Sequence, residues 1–224
     1  MDLLPHQVEG VEWCMDMEKQ GKSGFLCDDM GLGKTVQMCA LVSKTIKENG
    51  GSGHPVLVCS LLNNTTHWFN EFKRYDTDII TFNPPRKYDG NIPKEVHVVI
   101  VPYSYFQRNN PIWIFDTEWE RVIFDEAHTA ANPKTKLHKA LATINAKYRW
   151  ALTATPMQNK KNEIMAIASG ILKINGINGV DDVIANHYLR RTSDVDEDKL
   201  PPLNAIIQVR VGVAAPNDAF TRCL

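Results

Sequence analysis

The chain has 224 residues, 43% hydrophobic and 23% charged, with a formal net charge of −1. These figures suit one large soluble domain and exclude disorder, a fibrous fold, and a surface that binds polyanions through bulk positive charge. No stretch nears the roughly 18 apolar residues of a spanning helix, and Asp2 and His6 stand where a basic-then-apolar leader would begin, so neither a membrane partner nor secretion is expected.

In chain order, apolar residues at helical spacing over 5–19 predict a first helix, with Pro5 suited to its first turn. A short apolar run over 24–27 predicts a buried strand, and Asp28-Asp29-Met30-Gly31-Leu32-Gly33-Lys34-Thr35 follows before a second helical stretch over 34–48. Strand, glycine-rich turn and helix are what a phosphate-binding loop needs. Glycines let backbone N–H groups converge on phosphate oxygens, and the helix N-terminus adds partial positive charge. Lys34 supplies a full positive charge to the β- and γ-phosphates, and the Thr35 hydroxyl suits Mg²⁺. The first glycine of the general G-x-x-x-x-G-K-[ST] pattern is Asp28 here.

Asn49-Gly50-Gly51-Ser52-Gly53 predicts a surface loop, 56–59 a strand, 65–75 a helix and 79–82 a strand. Trp68, Phe69 and Phe72 on that helix are expected to face the core. Asn83-Pro84-Pro85-Arg86-Lys87 predicts another loop, because paired prolines exclude helix and central strand, and 96–101 predicts the next strand. The run 121–124 predicts a strand that ends in Asp125-Glu126-Ala127-His128. A lone Asp-Glu after a strand is more often a turn or a cap. Beside a phosphate loop it offers one carboxylate, Asp125, for Mg²⁺ and a second, Glu126, for the attacking water. Helices over 136–145 and 162–172 bracket a strand over 149–152. The acidic run Asp194-Val195-Asp196-Glu197-Asp198, then Pro201-Pro202, precedes a strand predicted over 205–213, which suggests a domain boundary.

Short apolar strands alternating with helices predict an α/β domain: a mostly parallel, doubly wound sheet with helices on both faces and ligands at the carboxyl ends of the strands. Five cysteines without a C-x-x-C pair, four of them inside apolar runs, predict reduced buried thiols rather than zinc ligands.

These motifs, in this order, resemble the Swi/Snf-type ATPases of helicase superfamily two. Leu4-Pro5-His6-Gln7 through Gly10 and Trp13 is similar to the family's adenine-reading segment, with Gln7 as the adenine contact. Asp28–Thr35 resembles D-E-M-G-L-G-K-T, and Asp125–His128 with Asn132 resembles D-E-A-H-x-x-K-N. Arg149 through Asn159 is similar to R-W-x-L-T-G-T-P-I-Q-N, the element thought to couple nucleotide to DNA. Arg190-Arg191-Thr192 with Leu200-Pro201-Pro202 resembles the passage into a second lobe.

The resemblance implies a RecA-like P-loop lobe over residues 1–200, and over 201–224 the start of a linker into a second RecA-like lobe. It implies ATP and Mg²⁺ as cofactors, contacts through Gln7, Asp29, Met30, Gly31, Leu32, Gly33, Lys34 and Thr35, and metal positions at Thr35 and Asp125, partly through water. Catalysis falls to Lys34, Asp125 and Glu126, and coupling to His128, Thr153, Thr155 and Gln158. It implies a monomeric translocase on double-stranded DNA or nucleosomes, acting in transcription regulation in the nucleus. Compact spacing resembles minimal viral relatives such as the baculoviral global transactivators, for which the compartment is the host nucleus. Because the family's second lobe supplies arginines to the γ-phosphate, the chain alone is expected to bind nucleotide weakly and hydrolyse it poorly.

Two segments resemble the family's DNA contacts less closely: Val58-Cys59-Ser60 through Trp68 and Glu71-Phe72, with Ser60 where proline is usual, and Val99 through Tyr103. Ala131 replaces a frequent lysine. With the near-neutral charge, these departures lower the expected DNA affinity. Two alternatives remain, a non-enzymatic nucleotide-, DNA- or protein-binding module and a DEAH-type RNA helicase lobe. Met30-Gly31-Leu32-Gly33 and Arg149-Trp150 favour the remodeller.

Overall fold

Strand runs such as Val56-Leu57-Val58-Cys59 carry apolar side chains on both faces, so a sheet built from them must be covered on both. The computed structural model describes residues 2–50, 53–85, 88, 90–108, 111–154 and 161–192 and shows that arrangement. Its strands are β1 (Gly24–Leu26), β2 (Val56–Ser60), β3 (Thr81–Phe82), β4 (Val98–Pro102), β5 (Trp119–Phe124), β6 (Ala146–Leu152) and β7 (Tyr188–Leu189). They form one sheet in the order β3-β4-β2-β5-β6-β1-β7. Every pairing is parallel.

Alternate residues of each strand feed two cores. Val56, Val58, Ile123 and Leu26 pack under α1 (Pro5–Lys19), α2 (Lys34–Glu48) and α3 (Thr65–Tyr75). Leu57, Cys59, Phe124 and Phe25 pack on the other side with α4 (Ser104–Arg108), α5 (Ile112–Asp116), α6 (Lys136–Thr143), α7 (Lys161–Met165) and α8 (Val180–His187). Cys14, Cys27, Cys39 and Cys59 are free and buried, as expected, whereas Cys223 lies outside the described residues. No described helix is long and apolar enough to cross a membrane.

Polar side chains inside this frame tie distant segments together. Glu18 at the end of α1 accepts from Arg121 Nε at 2.6 Å and from Trp150 Nε1 at 2.8 Å, joining α1 to β5 and β6. Arg149 donates to the carbonyls of Ile171 (2.6 Å), Leu141 and Ile144, capping helix ends that burial would otherwise leave unpaired. Burial lowers the Arg149 pKa to about 10. The Arg-Trp pair of the motif is thus architectural in its side chains.

Several expectations need correction. Phe69 is 40% exposed while Trp68 and Phe72 are fully buried, because positions 68 and 72 share a helix face and 69 is turned about 100° from 68. The helix expected over 162–172 is α7 followed by a π-helix, Ala166–Ile171. The wide turn is closed by Leu172 N–H donating to Ile167 O at 2.8 Å, five residues back. Helix α6 stops at Thr143. The strand expected over 205–213 and the domain boundary near 201 lie outside the described residues.

Candidate functional site

All the strands are parallel, so their carboxyl ends share one rim, where a doubly wound sheet gathers its ligands. The loop 28–35 leaves β1 there, Asp125 and Glu126 leave β5, Thr153 leaves β6 and Arg190 leaves β7. Only β6 separates β1 from β5, so the loop and the acidic pair lie about two strand spacings, or roughly 10 Å, apart.

Gly31 and Gly33 hold φ of 89° and 78°, left-handed values that explain glycine at both positions. Gly33 is also the N-cap of α2. Lys34 opens that helix, and its ammonium donates to the carbonyls of Asp28 (2.6 Å) and Asp29 (3.2 Å). Burial lowers the Lys34 pKa, while Asp28, Glu126, Cys27 and Asp125 act on it in the opposite sense. The two carboxylates of the β5 motif therefore lie within electrostatic reach of the loop lysine. Thr35 is partly buried beside it, and Met30, at 82% exposure, points away from the protein.

Gln7 is buried rather than free. Its Oε1 accepts from Leu4 N–H at 3.0 Å, closing the first turn of α1, and its Nε2 donates to Leu32 O at 3.4 Å. His6 Nε2 sits 3.1 Å from the same carbonyl. A Cβ at Gly33 would collide with Gln7. The first helix is thereby fastened to the glycine-rich loop.

Asp28 replaces the first glycine of the loop pattern for a reason the sequence does not disclose. It is fully buried and receives Arg191 through its backbone N–H (3.1 Å), Nε (3.0 Å) and Nη2, and Gln37 through Nε2 at 3.0 Å. Arg191 also donates to His6 O and to Gln37 Oε1 (2.7 Å). A Cβ at Gly10 would strike both Gln37 and Arg191, so glycine lets α1 close on this cluster. Asp29 donates its N–H to Arg191 O at 3.0 Å and pairs with Arg190 at 3.3 Å. Arg190 and Arg191, which the resemblance assigns to a passage between lobes, are anchored at the loop itself.

On β5, Asp125 is buried and its Oδ2 accepts from Trp68 Nε1 at 2.9 Å and Asn64 Nδ2 at 3.2 Å. Glu126 adopts φ 49° and ψ 51°, a left-handed conformation costly for a residue with a Cβ and typical of functional turns. His128 is exposed, and its Nδ1 lies 3.3 Å from Glu126 Oε2 and 3.2 Å from Thr153 Oγ1, linking the ends of β5 and β6. Asn132 forms a local turn, accepting from Lys134 N–H and Thr135 Oγ1. Thr155 and Gln158 lie outside the described residues. Sequence reasoning missed the Asp28–Arg191 pair and the Trp68–Asp125 bond. Only an aspartate in a glycine's place hinted at the first, and nothing hinted at the second.

Comparison with known proteins gives the family and the fold. The SNF2-related domain family matches residues 6–173. The chain is 29% identical over 218 residues to the chromatin structure-remodeling complex subunit snf21 of Schizosaccharomyces pombe, covering 93% of this chain and 18% of that protein. It is 29% identical over 179 residues to a probable global transactivator of Orgyia pseudotsugata multicapsid polyhedrosis virus, covering 74% of this chain and 34% of the viral protein. Among solved structures, the Sulfolobus solfataricus SWI2/SNF2 ATPase core in complex with double-stranded DNA superposes with a TM-score of 0.76 at 28% identity, covering 86% of this chain and 45% of that one. The chain thus spans a minor part of the curated relatives it matches. These likenesses favour the Swi/Snf reading over an RNA helicase lobe or a non-enzymatic module. By fold, by motif order and by this match over most of its length, the chain belongs to the SNF2-related domain family.

Proposed function

We propose that residues 1–200 form the ATP-binding lobe of a DNA-dependent ATPase of the Swi/Snf type and that residues 201–224 begin the passage into a second lobe. The observation that carries this is the shared rim, where the loop bearing Lys34 leaves β1 and the Asp125–Glu126 pair leaves β5, with β6 alone between them. The groups present suit Mg-ATP. A partly buried ammonium, a left-handed glycine loop at the start of a 15-residue helix, one hydroxyl and two carboxylates supply cation, N–H donors and hard oxygen ligands. Mg²⁺, held by Thr35 and through water by Asp125, would neutralise charge building on the phosphates.

In this reading Lys34 exchanges the carbonyls of Asp28 and Asp29 for phosphate oxygens, and the backbone N–H groups of Met30, Gly31, Gly33, Lys34 and Thr35 cradle them. Gln7 reads the adenine edge beside the loop. Glu126 orients the attacking water and accepts its proton, while His128 and Thr153 carry the state of the site from β5 to β6. Thr155 and Gln158 complete that coupling element. The proposed partner is double-stranded DNA or nucleosomes, engaged by a monomer working in the nucleus.

Titration with ATP in Mg²⁺ tests the core of the proposal. Uptake by the chain should vanish in Lys34→Ala, and equal uptake by both proteins would refute it. In the two-lobe protein, duplex DNA should raise turnover more than RNA or single-stranded DNA does.

A further inference from the structure

Asp125 is held at more points than a metal ligand at the end of a strand requires. Its backbone N–H donates to Cys59 O at 2.8 Å, and its carbonyl accepts from the buried Tyr103 hydroxyl at 2.7 Å. The carboxylate is fixed separately. Trp68 Nε1, 57 residues away in sequence, and Asn64 Nδ2 converge on the same oxygen, Oδ2. Trp68 is fully buried and stacks obliquely on Phe72 with ring centroids 5.9 Å apart, so its N–H has a fixed direction. An indole N–H can only donate, and a buried one needs an acceptor.

From this convergence we infer that Trp68, backed by Asn64, is a positioning residue for the metal carboxylate. It occupies Oδ2 and leaves Oδ1 to the water shell of Mg²⁺. Groups one step behind a ligand act this way because they fix its orientation before the metal arrives. The inference rests on the proposed metal role of Asp125. It assigns to α3 a part in the nucleotide site that the position of Trp68, in a segment resembling a DNA contact, does not suggest.

The test separates metal-linked from metal-free binding. Trp68→Phe keeps an aromatic ring in the core and removes the donor. The chain and this variant are titrated with ATP by calorimetry, once in Mg²⁺ and once in EDTA. Wild type should bind more tightly with Mg²⁺. Trp68→Phe should keep its affinity in EDTA to within about twofold and lose about tenfold in Mg²⁺, the lower end of what such supporting groups contribute. Asn64→Ala, which removes the longer bond from a less buried side chain, should lose less in the same sense, and it carries the test if the tryptophan variant does not fold. A wild-type gain from Mg²⁺ in both variants, or an equal loss in both media, overturns the inference. Failure of wild type to take up ATP, or uptake unchanged in Lys34→Ala, would strike the nucleotide reading and this inference with it.

Discussion

Replacing Asp28 by glycine would restore the general phosphate-loop pattern, and pattern alone expects the change to be harmless. The structure predicts the opposite. Asp28 and Arg191 have side-chain exposures of 0% and 1%, so Asp28→Gly leaves a guanidinium buried without its carboxylate. Removing one partner of such a pair costs about 3–5 kcal/mol. Arg191 keeps His6 O and Gln37 Oε1, which favours the lower part of that range, while Gln37 Nε2 loses an acceptor and the new glycine adds about 0.5–1 kcal/mol of chain entropy. A domain of ordinary stability holds about 5–15 kcal/mol, so the loss is a large share of the whole. Urea unfolding followed by circular dichroism measures it through the midpoint at constant slope. A second variant, Asp28→Leu with Arg191→Met, leaves no charge buried alone and should recover part of the loss, although Gln37 Oε1 loses its Arg191 donor and Gln37 Nε2 keeps Leu32 O but loses Asp28. Asp28→Gly within about 1 kcal/mol of wild type would refute the reasoning.

The left-handed backbone at Glu126 predicts a trade of function for stability. Glu126→Gly should stabilise the chain by about 1 kcal/mol in the same unfolding assay and abolish DNA-stimulated turnover in the two-lobe protein, and a destabilised variant would contradict the strain argument. Asp76 links pH to stability. Burial raises its pKa, but bonds from Lys47 (2.7 Å) and Ser43 (2.5 Å) outweigh that, and the net shift is downward. A depressed carboxylate contributes stability that is complete above its unfolded pKa of 3.8 and is lost as pH falls through the lower folded value. Thermal unfolding at pH 7 and pH 3 should therefore show a larger acid drop for wild type than for Asp76→Asn, and equal drops would contradict the assignment.

The parts of the fold that were legible in the sequence are those with long-range periodicity. Helices α1, α2 and α3 fall on the expected residues because each repeats its apolar positions over three or four turns and ends near Gly21, Gly50 or Asp76. Helices α4 and α5, five residues each, and the two-residue β7 are too short to establish a period. Likewise, no spacing rule distinguishes an α from a π turn. The widened turn at Ala166–Ile171 answers to tertiary contacts, with Arg149 on Ile171 O and His138 packed where a Cβ on Gly170 would sit. At the candidate site, the meeting of Lys34, Asp125 and Glu126 at one rim was legible because both motifs follow short apolar strands of a sheet expected to be parallel. Asp28 and Trp68 were not, because their roles depend on partners 163 and 57 residues away.

Those two residues point to how the rim is built. The proposed phosphate site would need charge in a partly dry place, and the rim holds such charge at a cost: Lys34 is partly desolvated, Glu126 is held in a left-handed turn, and Asp125 and Asp28 are buried. Each carboxylate is offset by donors from another part of the chain, Asp125 by α3 and Asp28 by the segment leaving β7. The second tie has a mechanical consequence. Arg191 grips Asp28 through its side chain and Asp29 through its carbonyl, while Arg190 pairs with Asp29. Residues 190–192 therefore cannot shift without pulling on the loop that precedes Lys34. If the chain beyond them leads to a second lobe, the reorientation of that lobe acts on the phosphate loop through buried, directional bonds rather than through a flexible tether.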